Sequence, residues 1–400
     1  MNASAVDLRD FPYPYSAMLA ICSDLDETAG HEEYVEISRF LNTDEPTRIG
    51  KGLGLEVGNT MYFDMAPGEY SFWNATDEQR DEIIALMRSG HIDAFHSFGD
   101  LASSRAHAEN AINCLESAGC KLRVWIDHAI APTNFGSDIM RGSGDSRDSD
   151  VYHADLTVNH GVRYVWRGRV SSVIGQGVRR RLGGIYDRRY GQESAITVTK
   201  ELIKGLLGRI PGSRFRMHAS NRVIEPIGLR DGQPVYEFLR SNPHPLGVSV
   251  ADRGDRIYEV LRDDMLDKLV DRRATAIIYT HLGKTDHVNT LFPPETIDAL
   301  ANLAKRANAG EILVATTART LDYQLMMTTI DWSVSESEDS IRIDCTTEAD
   351  SVQGLTFLVS GTKPVDIRVA GKSVCTSSEH ELHGDRRVIS VPWQPLSWPL

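Results

Sequence analysis

The sequence predicts an α/β fold built on a parallel sheet and followed by a small all-β unit. Short apolar runs alternate with helical patterns through the first 330 residues, which is typical of βαβ units. After about residue 331, segments of alternating polarity with glycine or proline turns replace the helical patterns. The 400 residues also exceed the size of one ordinary core. We therefore expect an α/β domain over 1–330 and a β-sandwich over 331–400.

Composition and charge exclude several classes of protein. A chain with 41% hydrophobic and 25% charged residues has an ordinary globular composition. The formal charge of −13 argues against general nucleic-acid binding and against docking on anionic membranes. The first residues do not resemble a secretory signal, and the five cysteines show no CxxC spacing. We expect a cytoplasmic protein with reduced thiols and with no nucleic-acid or membrane partner.

The first half of the chain shows strand and helix signals in turn. Residues 18–22 are a short apolar run that predicts a buried strand. Thr76 and Gln79 form a capping box and Gly90 fits a left-handed C-cap, so these residues bound a helix. Apolar spacing and flanking residues give the other elements, which are helices over 31–41 and 103–118 and strands over 53–57, 92–95 and 122–126.

The second half begins with a loop and continues with the same alternation. Residues 136–150 are polar and rich in glycine, and a loop of that length is usually functional or mobile. Strands are predicted over 162–166, 214–217, 276–279 and 312–315, and helices over 263–272 and 294–309. Alternating segments at 340–344, 355–359, 365–369 and 387–391 predict the strands of the all-β unit.

Polar side chains follow several of the predicted strands. The carboxyl ends of strands in a parallel barrel converge on one mouth, where active sites lie. A single histidine at such a place is more often a core or rim residue than a ligand, but several at matching positions indicate a site. The residues concerned are Asp24 and Asp26, His96, His128, His218 and His281.

His96 and Asp100 form a further pattern. A histidine and a carboxylate four residues apart can reach one point, and both are ligands of zinc-like divalent metals. Alone the pattern is weak, because a surface histidine and a solvated loop aspartate would look the same.

Several segments resemble the polysaccharide deacetylase (NodB-homology) family. Residues 78–100, EQRDEIIALMRSGHIDAFHSFGD, resemble its second motif, in which a helix, Gly-His and a strand precede a metal-binding histidine motif. Asp24-Leu25-Asp26 stands where the family has paired aspartates. Residues 276–283, AIIYTHLG, resemble the late strand that ends in the catalytic histidine. With weaker matches at 115–124 and 312–323, the resemblance covers about residues 15–325.

The resemblance implies a distorted (β/α) barrel of the glycoside hydrolase/deacetylase type and a metal-dependent hydrolase. It implies a divalent metal, zinc before others, on Asp26, His96 and Asp100, which would lower the pKa of a bound water towards about 7. Asp24 would be the general base, and His281 would protonate the leaving amine. The implied substrate is an N-acylated amino sugar or a related small carbohydrate or glycoconjugate.

Three departures from the family bear on these roles. Asp24 and Asp26 are separated by a leucine, so which of them binds metal and which acts as base stays open. Asp100 replaces the family's second metal histidine. The usual Arg-x-Pro-Tyr is absent, and residues 122–128, LRVWIDH, take its place. We expect Arg123 and Trp125 to contact substrate and His128 to be a substrate contact or an extra ligand. The oligomeric state is not predicted.

Two other functions compete with this hypothesis. Asp24-Leu25-Asp26-Glu27-Thr28 also resembles the DxDxT motif of haloacid-dehalogenase-type phosphatases, with Asp24 as nucleophile and Asp26 as general acid. That hypothesis would recruit Lys284 but gives no role to the histidines. The third hypothesis is a non-catalytic carbohydrate-binding barrel, whose sugar-stacking side chains would come from Tyr62, Phe72, Trp73, Trp125 and Trp166.

Overall fold

The computed structural model describes residues 6–286, 291–380 and 386–400. The strands are β1 Val6–Leu8, β2 Ala17–Ser23, β3 Asn59–Met61, β4 Ile92–His96, β5 Val124–Ile126, β6 Tyr164–Trp166, β7 Val170–Ser171, β8 Ile224–Gly228, β9 Pro234–Phe238, β10 Arg240–Ser241, β11 Thr275–Thr280, β12 Ile312–Val314, β13 Asp331–Glu336, β14 Ile341–Thr346, β15 Thr356–Ser360, β16 Val365–Val369, β17 Lys372–Ser373, β18 Ser377–His380 and β19 Arg386–Ser390. The α-helices are α1 His31–Asn42, α2 Asp77–Ser89, α3 Arg105–Ser117, α4 Ala154–His160, α5 Gly191–Leu207, α6 Arg216–Ser220, α7 Asp263–Asp271, α8 Pro294–Asn308 and α9 Thr317–Thr329.

One large, mostly parallel sheet dominates the fold. Its order is β7-β10-β11-β2-β3-β4-β5-β6-β9-β8, and β12 pairs with β2 beside this path. Only the last pair, β9 with β8, is antiparallel among the pairs of this sheet that the described residues form. The carboxyl ends of the parallel strands therefore lie along one edge, as the alternation of strands and helices predicts.

The sheet curls strongly, which makes the α/β fold barrel-like. The strands β11 and β6 are five places apart in the sheet, or roughly 24 Å if the sheet were flat. The rings of Tyr279 and Trp166 on these two strands are nevertheless stacked with centroids 5.7 Å apart. Apolar side chains from β2, β4, β5, β6, β9 and β11 also share one buried cluster inside the curl.

Strand β2 lies at the centre of this arrangement. Every residue of β2 is buried, as its continuous apolar run predicts. Ala17, Leu19 and Ile21 pack with residues of α1, α7 and α8, whereas Ala20 and Cys22 face the inside of the curl. Because both faces are covered by protein, β2 is a rigid support for the residues that follow it.

Two of the predicted strands are wrong. Residues 53–57 form no strand, because Leu53 and Leu55 donate backbone hydrogen bonds to the end of α1. The strand of this region is β3, which begins at Asn59. Residues 214–217 lead into the short helix α6, so His218 does not follow a strand.

The C-terminal region contains two four-stranded sheets, one ordered β13-β14-β16-β17 and the other β1-β15-β19-β18. Apolar side chains of both sheets belong to one buried cluster, which also includes residues of β2, β12 and α9. The N-terminal strand β1 is thus part of the second sheet, although it lies far from β15 in sequence. The division of the chain into two domains at residue 331 stays a prediction.

A search of the helices in the described ranges found none whose length and apolar character would let it cross a membrane.

Candidate active site

Four parallel strands deliver acidic and histidine side chains to the same edge of the sheet. Asp24 and Asp26 follow β2, His96 ends β4, His128 follows β5 and His281 follows β11. We call these five residues the site cluster. The convergence arises because the strands are parallel, so their carboxyl ends meet where the sheet curls.

Asp24 is buried at the carboxyl edge of the curled sheet and is bound by an arginine. Its Oδ1 accepts a hydrogen bond of 2.8 Å from Nη1 of Arg240, whose side chain is fully buried. The Arg240 guanidinium lies 3.6 Å from the ring centroid of Trp166, and the ion pair with Asp24 raises the pKa of Arg240 against the opposing effect of burial. Asp24 Oδ2 remains directed at the cluster, 3.8 Å from Nε2 of His96.

Asp26 contacts three histidines. Its Oδ1 lies 2.7 Å from Nε2 of His128, and its Oδ2 lies 3.5 Å from Nε2 of His281 and 3.6 Å from Nδ1 of His96. Burial by itself would raise the pKa of Asp26, but the neighbouring imidazoles outweigh burial and hold this pKa below its usual range. Asp26 is therefore an ionised carboxylate at neutral pH and lies at the centre of the cluster.

His281 has the hydrogen-bond pattern of a metal ligand. Its Nδ1 donates to the backbone carbonyl of Asp252 at 2.7 Å, and its backbone N–H donates to the same oxygen. In the neutral ring, Nε2 then carries a lone pair that faces Asp26. A histidine fixed through one nitrogen in this way presents the other nitrogen to a metal.

The described residues contain one group of side chains whose spacing suits a metal ion, and it consists of Asp24, Asp26 and His281. One ligand atom of each residue lies within 4.8 Å of the others. Two carboxylate oxygens and one imidazole nitrogen are a donor set that divalent ions such as zinc accept. These atoms are all acceptors directed at a common space, so the residues fit a cation there.

His96 lies against this group in a buried, neutral state. Burial lowers its pKa to about 4, although Asp24 and Asp26 oppose this effect. Its ring stacks on Tyr62 with centroids 4.5 Å apart, and its Nδ1 accepts a hydrogen bond of 3.4 Å from the backbone of Leu25. His96 is thus close to the metal-type group without belonging to it.

His128 bridges two carboxylates. Its Nε2 contacts Asp26, and its Nδ1 lies 3.0 Å from Oδ1 of Asp100, so both ring nitrogens face acceptors. Burial alone would lower the pKa of His128, but the bonds to Asp26 and Asp100 raise it. Asp100 is half-exposed and reaches the cluster only through His128. The ligand set Asp26, His96 and Asp100 therefore stays a prediction, and it shares only Asp26 with the group Asp24, Asp26 and His281.

The loop after β5 is organised by Asp127. This buried carboxylate accepts hydrogen bonds from the backbone of Phe135 and Gly136 and from the indole of Trp125. Asn134 in turn accepts a hydrogen bond of 2.9 Å from the backbone N–H of His128. These bonds hold the segment that carries His128 in place beside Asp26.

Two residues predicted to contact substrate do not reach the cluster. Trp125 is fully buried and stacks on Phe135 with centroids 4.8 Å apart. Arg123 precedes β5 and so lies at the opposite edge of the sheet, where it pairs with Asp322 and Asp350. The alternation of side chains along β5 and the position of Arg123 before the strand explain why both point away from the site.

Other residues changed place or were missed. His218 lies in α6, where its Nδ1 is 3.7 Å from Oε2 of Glu201, and it does not follow a strand as predicted. Arg240, the first residue of β10, was not predicted as a site residue, and its only signal in the sequence is a charged residue directly after Phe238 and Leu239. Lys284, which the phosphatase hypothesis would recruit, pairs with Glu27 instead.

Comparisons of the sequence with known protein families and with curated proteins gave no match.

Proposed function

We propose that this protein is a metal-dependent hydrolase that removes an acyl group from an N-acylated amino sugar or a related carbohydrate. The observation that carries the proposal is the group Asp24, Asp26 and His281, whose ligand atoms lie within 4.8 Å of one another at the carboxyl edge of a curled parallel sheet. This edge is where enzymes built on parallel α/β barrels have their active sites.

The proposal assigns the metal to Asp24, Asp26 and His281. A divalent ion bound there would acidify a water molecule and polarise the substrate carbonyl. Arg240 holds Asp24 by Oδ1, which leaves Oδ2 directed at the cluster. The Asp252 carbonyl fixes the His281 ring so that Nε2 is presented to the same space. This assignment gives His281 a ligand role in place of the proton-donor role inferred from the family resemblance.

The two remaining histidines have different roles in this proposal, because one is a proton donor and the other is a positioning residue. His128, which faces carboxylates with both ring nitrogens, carries the proton that a leaving amine needs. The neutral His96 ring accepts the Leu25 hydrogen bond at Nδ1 and so carries its proton on Nε2, which lies 3.8 Å from Oδ2 of Asp24 and helps to orient that carboxylate. Tyr62 stacks on His96 and limits the orientations of its ring.

The test is a matched pair of carboxylate-to-amide substitutions. Asp26→Asn should abolish stoichiometric divalent metal and deacetylation of N-acetylated sugars, because the central ligand is lost. Asp100→Asn should keep the metal, since Asp100 contacts only His128 within the cluster. Elemental analysis and release of acetate from chitooligosaccharides or N-acetylglucosamine derivatives measure both properties.

The outcomes separate the competing functions. Loss of metal from Asp100→Asn would show that the ligand set inferred from the sequence is the correct one. Trapping of an aspartyl-phosphate analogue by beryllofluoride, without bound metal of the zinc type, would favour the phosphatase. A protein that binds carbohydrate but has neither metal nor turnover would be the non-catalytic barrel.

A further inference from the structure

Helix α5 presents most of its large aliphatic residues to solvent and buries a face that is polar or small. Ser194, Thr197, Glu201 and Gly205 are buried at helical spacing, whereas the opposite side is exposed. Each apolar residue of the exposed side is between 39% and 57% accessible, which is unusual for large aliphatic side chains at regular spacing. We call this surface the α5 ridge, formed by Ile196, Leu202, Ile203, Leu206 and Leu207 with Ile210 just beyond the helix.

The inverted orientation is fixed by a buried polar network. Glu201 Oε2 lies 2.7 Å from Nη2 of Arg180, and Glu201 Oε1 lies 2.8 Å from Nζ of Lys204. The same carboxylate accepts a hydrogen bond of 3.3 Å from the hydroxyl of Ser171 on β7. Rotating α5 to bury the ridge would break the ion pairs of Glu201 with Arg180 and Lys204. Because these pairs are largely buried, their loss would be costly, and the ridge therefore stays outward.

The segment around the ridge has a charge opposite to that of the whole chain. Residues 179–222 contain eleven Arg and Lys but three Asp and Glu, a local excess of eight positive charges in a chain of formal charge −13. The rest of the chain therefore carries −21. The earlier expectation that the protein avoids anionic membranes rests on the net charge, which conceals this asymmetry.

Many of these cations are available to a partner. Seven of them are exposed and form no hydrogen bond or ion pair through their side chains with any residue of the described ranges, and they are Arg179, Arg181, Arg188, Lys200, Arg209, Arg214 and Arg222. Lys200 and Arg209 stand within a few residues of the ridge itself. An apolar helix face with flanking cations is the composition of helices that lie in a membrane interface.

We propose that the α5 ridge docks this protein on the surface of an anionic lipid bilayer. The aliphatic side chains would enter the boundary between headgroups and acyl chains, and the unpaired cations would contact lipid phosphates. A symmetric contact between two copies of the ridge would bring two excesses of positive charge together, which argues against a second copy as the occupant.

The test is flotation of the full-length protein with vesicles. Vesicles of phosphatidylcholine mixed with phosphatidylglycerol should carry the protein, and vesicles of phosphatidylcholine alone should not. Lys200→Gln and Arg209→Gln should each weaken binding about fivefold, as expected for one cation near an anionic surface. Leu206→Asn should weaken binding about tenfold or more, because the bilayer would no longer receive the leucine side chain. Raised salt should release the protein.

Matched controls come from the C-terminal sheets. Val334 and Lys372 are exposed residues of the same chemical types, so Val334→Asn and Lys372→Gln should leave vesicle binding unchanged. Thermal unfolding of each variant should match the parent, since all of these residues are on the surface.

Three results would overturn the proposal. The first is a protein that floats with neither vesicle, and the second is equal flotation with both, which would remove the role of the cations. The third is a dimer in sedimentation that Leu206→Asn dissociates while vesicles bind nothing, since the ridge would then be covered by a second copy.

Discussion

Two clusters of buried charge in this molecule contain the same kinds of residue but differ in how their donors and acceptors are matched. The site cluster has two carboxylates and three histidines at the strand ends. The α5 network has the carboxylate of Glu201 with Arg180, Lys204 and His218. Both clusters contain a histidine near a carboxylate, and both are largely shielded from water.

The two clusters differ in the number of hydrogen-bond donors that are available to their carboxylate oxygens. Both oxygens of Glu201 receive hydrogen bonds from cations. Burial alone would raise the pKa of Glu201, but its contacts with His218 and Lys204 hold this pKa below the usual range. In the site cluster, by contrast, Oδ2 of Asp26 lies 3.5 Å from Nε2 of His281, a nitrogen that is an acceptor when the ring is neutral. A complete set of partners indicates a structural role, whereas acceptors that face one another indicate a place for a cation or a proton in transfer.

The largest effect expected from this comparison concerns two histidines. His281→Ala should remove the metal and lower kcat/KM roughly a thousandfold, because several kcal/mol of transition-state stabilisation depend on the ion. His218→Ala should keep the activity of each folded molecule, since His218 contacts Glu201 and not the cluster. Metal content and steady-state kinetics of the two variants measure this. Equal losses of activity in the two variants would mean that the match between donors and acceptors does not separate a catalytic cluster from a structural one.

An intermediate effect is expected on stability. Glu201→Gln should lower the free energy of unfolding by about 3 kcal/mol, because Arg180 and Lys204 would lose the buried charge that compensates them. Glu193→Gln is the control, as Glu193 is exposed on the same helix. Urea unfolding at neutral pH compares the two variants. If they unfold alike, the network does not hold α5 in its orientation.

The smallest effect concerns the protonation of neighbouring histidines in metal-free protein. The raised pKa of His128 means that its stabilising contribution is present below the unfolded value of about 6.5 and is lost as pH rises through the folded value. The pKa of His96 is lowered to about 4, so the pH dependence has the opposite sign. The contribution of His96 to stability is present above the unfolded value of about 6.5 and is lost as pH falls towards about 4.

Asp100→Asn sharpens this contrast. It should lower the pKa of His128 and raise that of His96 by a smaller amount, because Asp100 contacts only the His128 ring and the charge of that ring lowers the pKa of His96. Stability at neutral pH should change by less than about 1 kcal/mol, since Asp100 is half-exposed. Ring-proton shifts followed by NMR across the pH range report both histidines. Equal shifts of both titrations in the same direction would contradict this prediction.

Much of the parallel sheet was predictable because its signals are local. The apolar run before Asp24 and the helix that ends at Gly90 each depend on a few neighbouring residues. The strand over 53–57 was wrong for a tertiary reason, since those residues bond to the end of α1 instead of a strand. Local polarity does not reveal which of two neighbours will take a backbone hydrogen bond.

The five residues of the site cluster could be selected from the sequence, but their contacts with one another and with Arg240 could not. Asp24, Asp26, His96, His128 and His281 could be selected because strand ends converge in a parallel fold. Arg240 could not, because its contact with Asp24 joins residues 216 positions apart. Likewise Trp125 and His128 are three residues apart, yet one is core and the other is in the cluster. The alternation of side chains along β5 and the curl of the sheet together decide which side chains face the site cluster.

The pairing of β1 with β15 has a consequence for the order in which the chain acquires its structure. Val6 pairs with Val359, and Asp7 forms an ion pair of 2.7 Å with Arg386 of β19. During synthesis the first strand therefore emerges long before its partners exist. Its sheet can close only after residues 356–390 have left the ribosome, which makes this closure a late step of folding with a high contact order. Until then β1 is an unpaired strand that needs protection from other chains.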